Sequence, residues 1–240
     1  MSLKTLFLDA GGVLVFPNWT RISDTLARHG VHVTPEALAV AEPHAKKHLD
    51  QSRTIQATSD ERRGWLYFNL ILERAGVAPN DVTAAALTEL YAYHQQSNLW
   101  EYMPADVLPS LRELRALGLQ LVVVSNANGT VAALAERLGI TECVGCVLDS
   151  FVEQVEKPDP RFFEIALERS GARRESTMHV GDLYEVDVVG ARVAGIEAVL
   201  LDAADLYPDA DCVRVQSLPA LVDLLRSRIN SSRRSSPTNP

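Results

Sequence analysis

Cysteine, long apolar runs and basic charge are all scarce in this chain. Its three cysteines cannot build a disulfide framework, because one is always left unpaired, and this favours a reducing compartment. Cys143 and Cys146 form a lone Cys-x-x-Cys. Zinc needs two further ligands at suitable spacing, and none lies nearby, so the pair reads as two small buried residues. No stretch reaches the roughly 18 apolar residues of a membrane-spanning helix. At the N-terminus, Thr5-Leu6-Phe7-Leu8 is stopped by Asp9, well short of the roughly seven to fifteen apolar residues of a secretory signal. The expected location is cytoplasmic, with no membrane partner.

The shortage of basic residues, 23 against 31 acidic, gives a net charge of −8. A general nucleic-acid binder needs a basic footprint, so none is expected as a partner. A small anionic ligand is not excluded, because local charge can oppose net charge. The charge is also uneven. Residues 226–240 hold Arg226, Arg228, Arg233 and Arg234 and no acid, which leaves −12 for residues 1–225. Residues 231–240 carry no apolar side chain to bury and read as a disordered tail.

What is present is a 240-residue chain that is 47% hydrophobic and 22% charged, enough for one domain carrying a smaller one. Strand-like apolar runs appear at 5–8, 119–124, 144–148, 177–180 and 198–201. Helical patterns at 105–117, 129–138, 160–170 and 186–194 lie between the later runs. Continuous apolar strands alternating with helices predict a doubly wound parallel α/β sheet covered on both faces. Residues 17–102 read differently. Helical segments at 19–29, 35–49, 61–75 and 81–96 follow one another with almost no strand signal, and Thr34-Pro35-Glu36 and Pro79-Asn80-Asp81 look like helix starts. The expected organisation is a Rossmann-like core of residues 1–16 and 103–230, interrupted by a small helical domain of residues 17–102.

In such a sheet, ligands bind beyond the C-terminal ends of the strands. There the sequence places Asp9-Ala10-Gly11-Gly12, Ser125-Asn126-Ala127-Asn128-Gly129 and Gly181-Asp182, with Asp187 five residues on and Lys157-Pro158 before the helix at 160. Asp9 can serve as nucleophile and metal ligand, with two glycines letting the backbone come close. Asp182 with Asp187 can complete an oxygen-ligand site for magnesium. Ser125 and the amides after it can hold anionic oxygens at a helix start. Lys157 can neutralise both nucleophile and transferring group. Singly each is weak; together, in this order and each at a strand end, they point to one site.

On these residues the chain resembles the haloacid dehalogenase-like (HAD) hydrolase superfamily. The matching pieces are LFLDAGGVL, VVVSNANG, EKPDPRFFEIAL and HVGDLYEVDVVGARVAG. The helical insert lies where members with an α-helical cap carry it. The resemblance implies a phosphatase of small phosphorylated metabolites working through an aspartyl-phosphate. Asp9 would be the nucleophile, Ser125 and Asn126 would bind phosphate, and Lys157 would neutralise charge. Mg²⁺ would be held by Asp9, the Gly11 carbonyl and Asp182, with Asp187 ligating or supporting.

One position departs from the pattern. Phosphatases of this superfamily carry a second Asp two residues after the nucleophile, which protonates the leaving group; here that position is Gly11. General acid–base help is worth typically about 10²–10⁴-fold. Glu42, His44, His48 and His94 are candidate replacements. Lys46 and Lys47 could offer an amine to an aldehyde substrate, but neighbouring lysines read first as a solvated helix face. Two further readings stay open: a 2-haloacid dehalogenase, whose departing halide needs no acid, and a catalytically weak relative that binds a phosphorylated ligand. Trp19, Arg21, Arg53, Trp65, Tyr67 and Trp100 could line a pocket, and packing is the reading preferred for the tryptophans.

Overall fold

The computed structural model describes residues 3–50 and 60–234. Its chain order is β1 Thr5–Leu8, α1 Trp19–Arg28, α2 Pro35–Leu49, α3 Asp60–Arg74, α4 Asp81–Ser97, α5 Val107–Ala116 and β2 Gln120–Ser125. There follow α6 Val131–Arg137, β3 Cys146–Asp149, α7 Ser150–Glu153, α8 Pro160–Ser170 and β4 Thr177–Gly181. The last elements are a π-helical turn Tyr184–Val189, α9 Gly190–Val193, β5 Glu197–Leu201, β6 Val213–Val215 and α10 Leu218–Arg234.

The strands form one sheet in the order β3-β2-β1-β4-β5-β6, parallel at every pairing. β1 lies at its centre, with Thr5 to Leu8 in register with Gln120 to Val123 on one side and Thr177 to Val180 on the other. Successive side chains on a strand face opposite ways, so each face of the sheet builds its own core. Leu6, Leu8, Val123 and Val180 pack with residues of α5, α6 and α10. Phe7, Val122, Val124 and Leu200 pack with Phe162 and Phe163 of α8 and Ala191 of α9. This is the doubly wound parallel arrangement that the unbroken apolar strands call for.

The four early helices bury a third apolar cluster of their own, including Ile22, Leu26, Leu38, Ala45, Ile71, Ala86 and Leu90. Their starts are chemically specified. Thr34 Oγ1 accepts from Ala37 N ahead of Pro35. Asn80 and Thr83 form a reciprocal capping box. The chain enters and leaves this helical layer through two strands of backbone that pair: Phe16 N donates to Tyr102 O at 2.8 Å, and Tyr102 N returns a bond to Phe16 O at 3.1 Å.

Three sequence expectations change. The helix expected at 186–194 begins as a π-helical turn at Tyr184 and becomes α-helical only at Gly190. β6 is an additional strand; at three residues, Val213-Arg214-Val215, it is too short for its alternation to stand out in the sequence. α10 continues to Arg234, so Ser231 to Arg234 are helical rather than part of a tail, and Ser231 Oγ donates to Ser227 O. Residues 235–240 lie outside the described residues. Cys143 is buried, Cys146 half-buried, and both are free thiols. Among the described residues no helix is long and apolar enough to cross a membrane.

Candidate active site

β1, β2 and β4 end side by side, and their terminal residues meet. Asp9 follows β1, Ser125 closes β2 and Asp182 follows β4. All three are buried, as are Lys157 and Asp187, which have no exposed surface at all. Asp9, Asp182 and Asp187 each bring a carboxylate oxygen within 4.8 Å of the others. The glycines make this possible. A Cβ on Gly12, whose φ is +75°, would sit 1.9 Å from Asp182 Oδ2; a Cβ on Gly181 would sit 2.0 Å from Asp187 Cγ. Neither position tolerates a side chain without moving a carboxylate.

Lys157 ties the cluster together. Its Nζ lies 3.1 Å from Asp9 Oδ1 and 2.7 Å from Asp187 Oδ1. Asp187 also faces His179 Nε2 at 2.9 Å and accepts from Leu183 N at 3.0 Å through its other oxygen. Burial disfavours the charged carboxylate, but Lys157 and the His179 contact outweigh it and hold Asp187 well below the usual range. Asp187 is therefore a fixed anion. Burial would also depress Lys157, yet Asp187 and Asp9 raise it, so it stays charged. Asp9 behaves oppositely. Burial, with Asp187 and Asp182 adding to it against Lys157, raises it to about 7. Burial likewise raises Asp182 against the pull of Lys46. A buried set with more carboxylates than cations is one that a divalent cation would relieve. The donor set is all oxygen, which suits a hard cation such as Mg²⁺.

Asn126 has a task that the sequence did not suggest. Its Oδ1 accepts from Lys157 N at 2.8 Å and its Nδ2 donates to Lys157 O at 2.9 Å. The side-chain amide, expected to hold phosphate, also clamps the lysine's main chain, and Asn126 borders the cavity. Among the described residues Ser125 Oγ has only a long bond, 3.4 Å, to Asn126 O, and Ser125 borders the cavity. Gly11 also borders the cavity; a Cβ there would lie 3.5 Å from the Trp100 indole, an ordinary contact.

The helical layer closes the site from the other side. The cavity between them holds about 600 Å³, within the range of small-molecule sites. Tyr67 and Trp100 stack at 5.8 Å, with Phe68 edge-on to both. These rings pack on one another and also wall the cavity. Lys46 is turned inward and not onto a solvated face: its Nζ lies 2.5 Å from Asp182 Oδ2 and 2.6 Å from Glu42 Oε1. Tyr67 OH donates to Glu42 Oε1 at 2.9 Å. Lys47 does remain exposed, its ammonium 3.5 Å over the Tyr207 ring. One turn on, the buried Asp50 accepts from Tyr184 N at 2.6 Å, Glu185 N at 2.9 Å and Tyr207 OH at 2.6 Å. The end of α2 is thereby fastened to the turn that carries Asp187.

Of the acids considered to replace position 11, His44 and His48 are exposed and outside the cavity wall, and Glu42 is buried behind Lys46. His94 borders the cavity, with Nδ1 accepting from Leu99 N. Arg21 faces Glu101 and the Tyr93 ring instead of the cavity. Arg53 and the Trp65 side chain lie outside the described residues. His179 and Asp50 escaped the sequence reading. A histidine inside the otherwise apolar β4 run was the available signal for His179; nothing local marked Asp50.

The description haloacid dehalogenase-like hydrolase belongs to the family model that matches residues 3–195. Ribulose-1,5-bisphosphate 5-phosphatase of Halopiger xanaduensis is 36% identical over 152 residues, covering 62% of this chain and 61% of that protein, so the match spans less than two thirds of its length. Human haloacid dehalogenase-like hydrolase domain-containing protein 3 is 29% identical over 206 residues, covering 82% and 81%. Among solved structures, the HAD-hydrolase YfnB of Bacillus subtilis, bound to magnesium, superposes with a TM-score of 0.68 at 16% identity, covering 94% of this chain and 99% of that one. At that identity the likeness concerns the fold alone.

Proposed function

The chain belongs to the haloacid dehalogenase-like hydrolases, and from that premise we propose that it is a Mg²⁺-dependent phosphatase of small phosphorylated metabolites. The observation that carries the reading is the convergence of the Asp9, Asp182 and Asp187 carboxylates at the strand ends, with Lys157 against Asp9 and Asp187. Relatives named as phosphatases of ribulose bisphosphate, glyceraldehyde 3-phosphate and phosphoserine support the substrate class. The core is residues 1–16 and 103–230, and residues 17–102 act as a cap over it.

Asp9 and Asp182 face the cavity, and together with the Gly11 carbonyl would hold Mg²⁺; Asp187, saturated by its own donors, supports them and keeps Lys157 aimed. When bound, Mg²⁺ would offset the charge between Asp9 and an incoming phosphate and polarise the phosphoryl oxygens. Asp9 attacks phosphorus to give an aspartyl-phosphate, which water then hydrolyses. Lys157 remains charged and lowers the energy of the negative charge that develops on the transferring group. Ser125 Oγ and the backbone amides after β2 hold its oxygens. Asn126 contributes by fixing the Lys157 backbone.

Gly11 is the one observation favouring 2-haloacid dehalogenase activity. The buried three-carboxylate cluster opposes it, because a halide displacement gains nothing from a divalent cation. Assays of phosphate esters and of 2-haloacids, each with Mg²⁺ and with EDTA, separate the two. The expected result is phosphate release that EDTA abolishes and no halide release. Halide release that survives EDTA would replace the phosphatase reading.

A further inference from the structure

Gly11 brings no side chain to the space two residues after the nucleophile, and an indole stands beside that space. An ideal Cβ at Gly11 would lie 3.5 Å from both Cδ1 and Nε1 of Trp100. Trp100 is also the centre of a cluster of rings. Tyr67 stacks on it at 5.8 Å, and Phe68 and His94 meet it edge-on at 5.7 and 5.5 Å. All four rings belong to residues that border the cavity. The segment that carries the indole is tied to the core. Trp100 N donates to Asn98 Oδ1 at 3.0 Å, and the buried Asn98 donates through Nδ2 to Thr130 Oγ1 at 3.1 Å. The aromatic wall is therefore held against the edge where Asp9 lies.

We infer that the substrate is a small aryl phosphate, the phosphate monoester of a phenol, whose ring packs against Trp100. The inference rests on the phosphatase reading above and names its substrate class. Two observations of different kinds meet in it. The rings offer a flat apolar partner the stacked and edge-on contacts that aromatic groups favour. Gly11 offers a leaving group no proton. A phenol ionises near pH ~10, whereas an aliphatic alcohol, like water, holds its proton to near ~16. A phenol is thus the alcohol that can depart without an acid beside it. The cavity has the space, since about 150 Å³ holds benzene and this one measures about 600 Å³. The helical layer closes over the site, which suits a free ester and not one carried on a protein. The step balances without a protein acid. As an Asp9 oxygen bonds to phosphorus, the bond from phosphorus to the aryl oxygen breaks and its electron pair leaves on the phenolate. Water then bonds to phosphorus, the bond to Asp9 breaks, and the pair returns to the carboxylate. The proton that this water gives up equals the one that the phenolate takes from solvent.

Three esters separate the ring from the leaving group: phenyl phosphate has both, benzyl phosphate has the ring on an aliphatic oxygen, and ethyl phosphate has neither. With the full chain and Mg²⁺, kcat/KM should fall about 10²-fold or more from phenyl to benzyl, and about 10-fold again from benzyl to ethyl. Trp100→Leu should lower kcat/KM for phenyl and benzyl about 10-fold relative to ethyl, and Trp100→Phe, which keeps a ring, should recover most of that preference. Ratios within one variant do not depend on the fraction folded, so poor folding cannot imitate the result. Benzyl phosphate as good as phenyl, ethyl as good as benzyl, or a Trp100→Leu loss equal on all three would overturn the aryl assignment and leave the phosphatase reading intact. So would glyceraldehyde 3-phosphate or phosphoserine turned over as well as phenyl phosphate. A phosphotyrosyl peptide should release no phosphate; release as fast as from phenyl phosphate would overturn the restriction to small esters. No release from any ester with Mg²⁺ would overturn the phosphatase reading, and this inference with it.

Discussion

The cavity has two walls of different origin. The sheet wall is made of residues at strand ends: Asp9, Ser125 and Asp182, with Lys157 and Asp187 just behind. Its positions follow from topology, because a parallel sheet delivers whatever follows each strand to the same edge. The helical wall is made of Lys46, Tyr67, Phe68 and His94 on three helices, of Trp100 in the connection after α4, and of Asp50 at the end of α2. No single rule gathers these; tertiary packing of amphipathic helices does. Under the proposed function, the sheet wall would hold the phosphoryl-transfer machinery, and the helical wall would meet the leaving group.

That division can be broken at either wall. The largest effect is expected at Lys157. Lys157→Met leaves Asp9 and Asp187 facing each other in a buried site without their shared cation. Removing one partner of a buried ion pair costs about 3–5 kcal/mol, so thermal or urea unfolding should show a loss of that order, alongside a fall in turnover of about 10³-fold or more. A variant as stable as the wild type would mean that the sheet wall is not held together as described.

A smaller effect is expected at the junction between the walls. Burial raises Asp50 to about 6, opposed by bonds from Tyr207 and from the Glu185 and Tyr184 amides. The folded state therefore holds the proton more tightly than the unfolded chain. The stability this contributes is complete in acid, below the ordinary carboxylate range, and is lost as pH rises through about 6. Asp50→Asn removes that dependence. Its melting temperature relative to wild type should rise as pH goes from about 4 to about 7, by the equivalent of about 1–3 kcal/mol. A difference that is flat with pH would show that Asp50 is already ionised in acid and that the junction is not strained.

The same contrast explains what the sequence disclosed. Thr5 to Leu8 followed by Asp9, and Thr177 to Val180 followed by Gly181-Asp182, are apolar runs ended abruptly by an acid, and both the strands and the site can be read from them. Thr34, Asn80 and Asp159 mark helix starts through their own side-chain bonds. Local chemistry was sufficient there. Lys46 was misread because Lys46-Lys47 looks alike from outside: only the three-dimensional position of Asp182, 136 residues away, decides that one turns inward and the other stays in solvent. The clamp between Asn126 and Lys157 was not legible for a similar reason, since the Asn126 amide pairs with the main chain of Lys157, which no side-chain pattern reveals. The π-helical turn at Tyr184–Val189 was expected as ordinary helix because its composition is the same; its extra residue per turn is a tertiary adjustment near the site, where such turns are common.

The central claim is that Asp9 carries the phosphoryl group. It is tested most directly by quenching the Mg²⁺-loaded enzyme in acid during turnover of p-nitrophenyl phosphate and measuring the mass of the peptide that contains Asp9. The account predicts that this peptide gains one phosphoryl group in the wild type and none in Asp9→Asn, which should also release no phosphate. Phosphate release by Asp9→Asn, or a phosphoryl group found on any other residue, would contradict it.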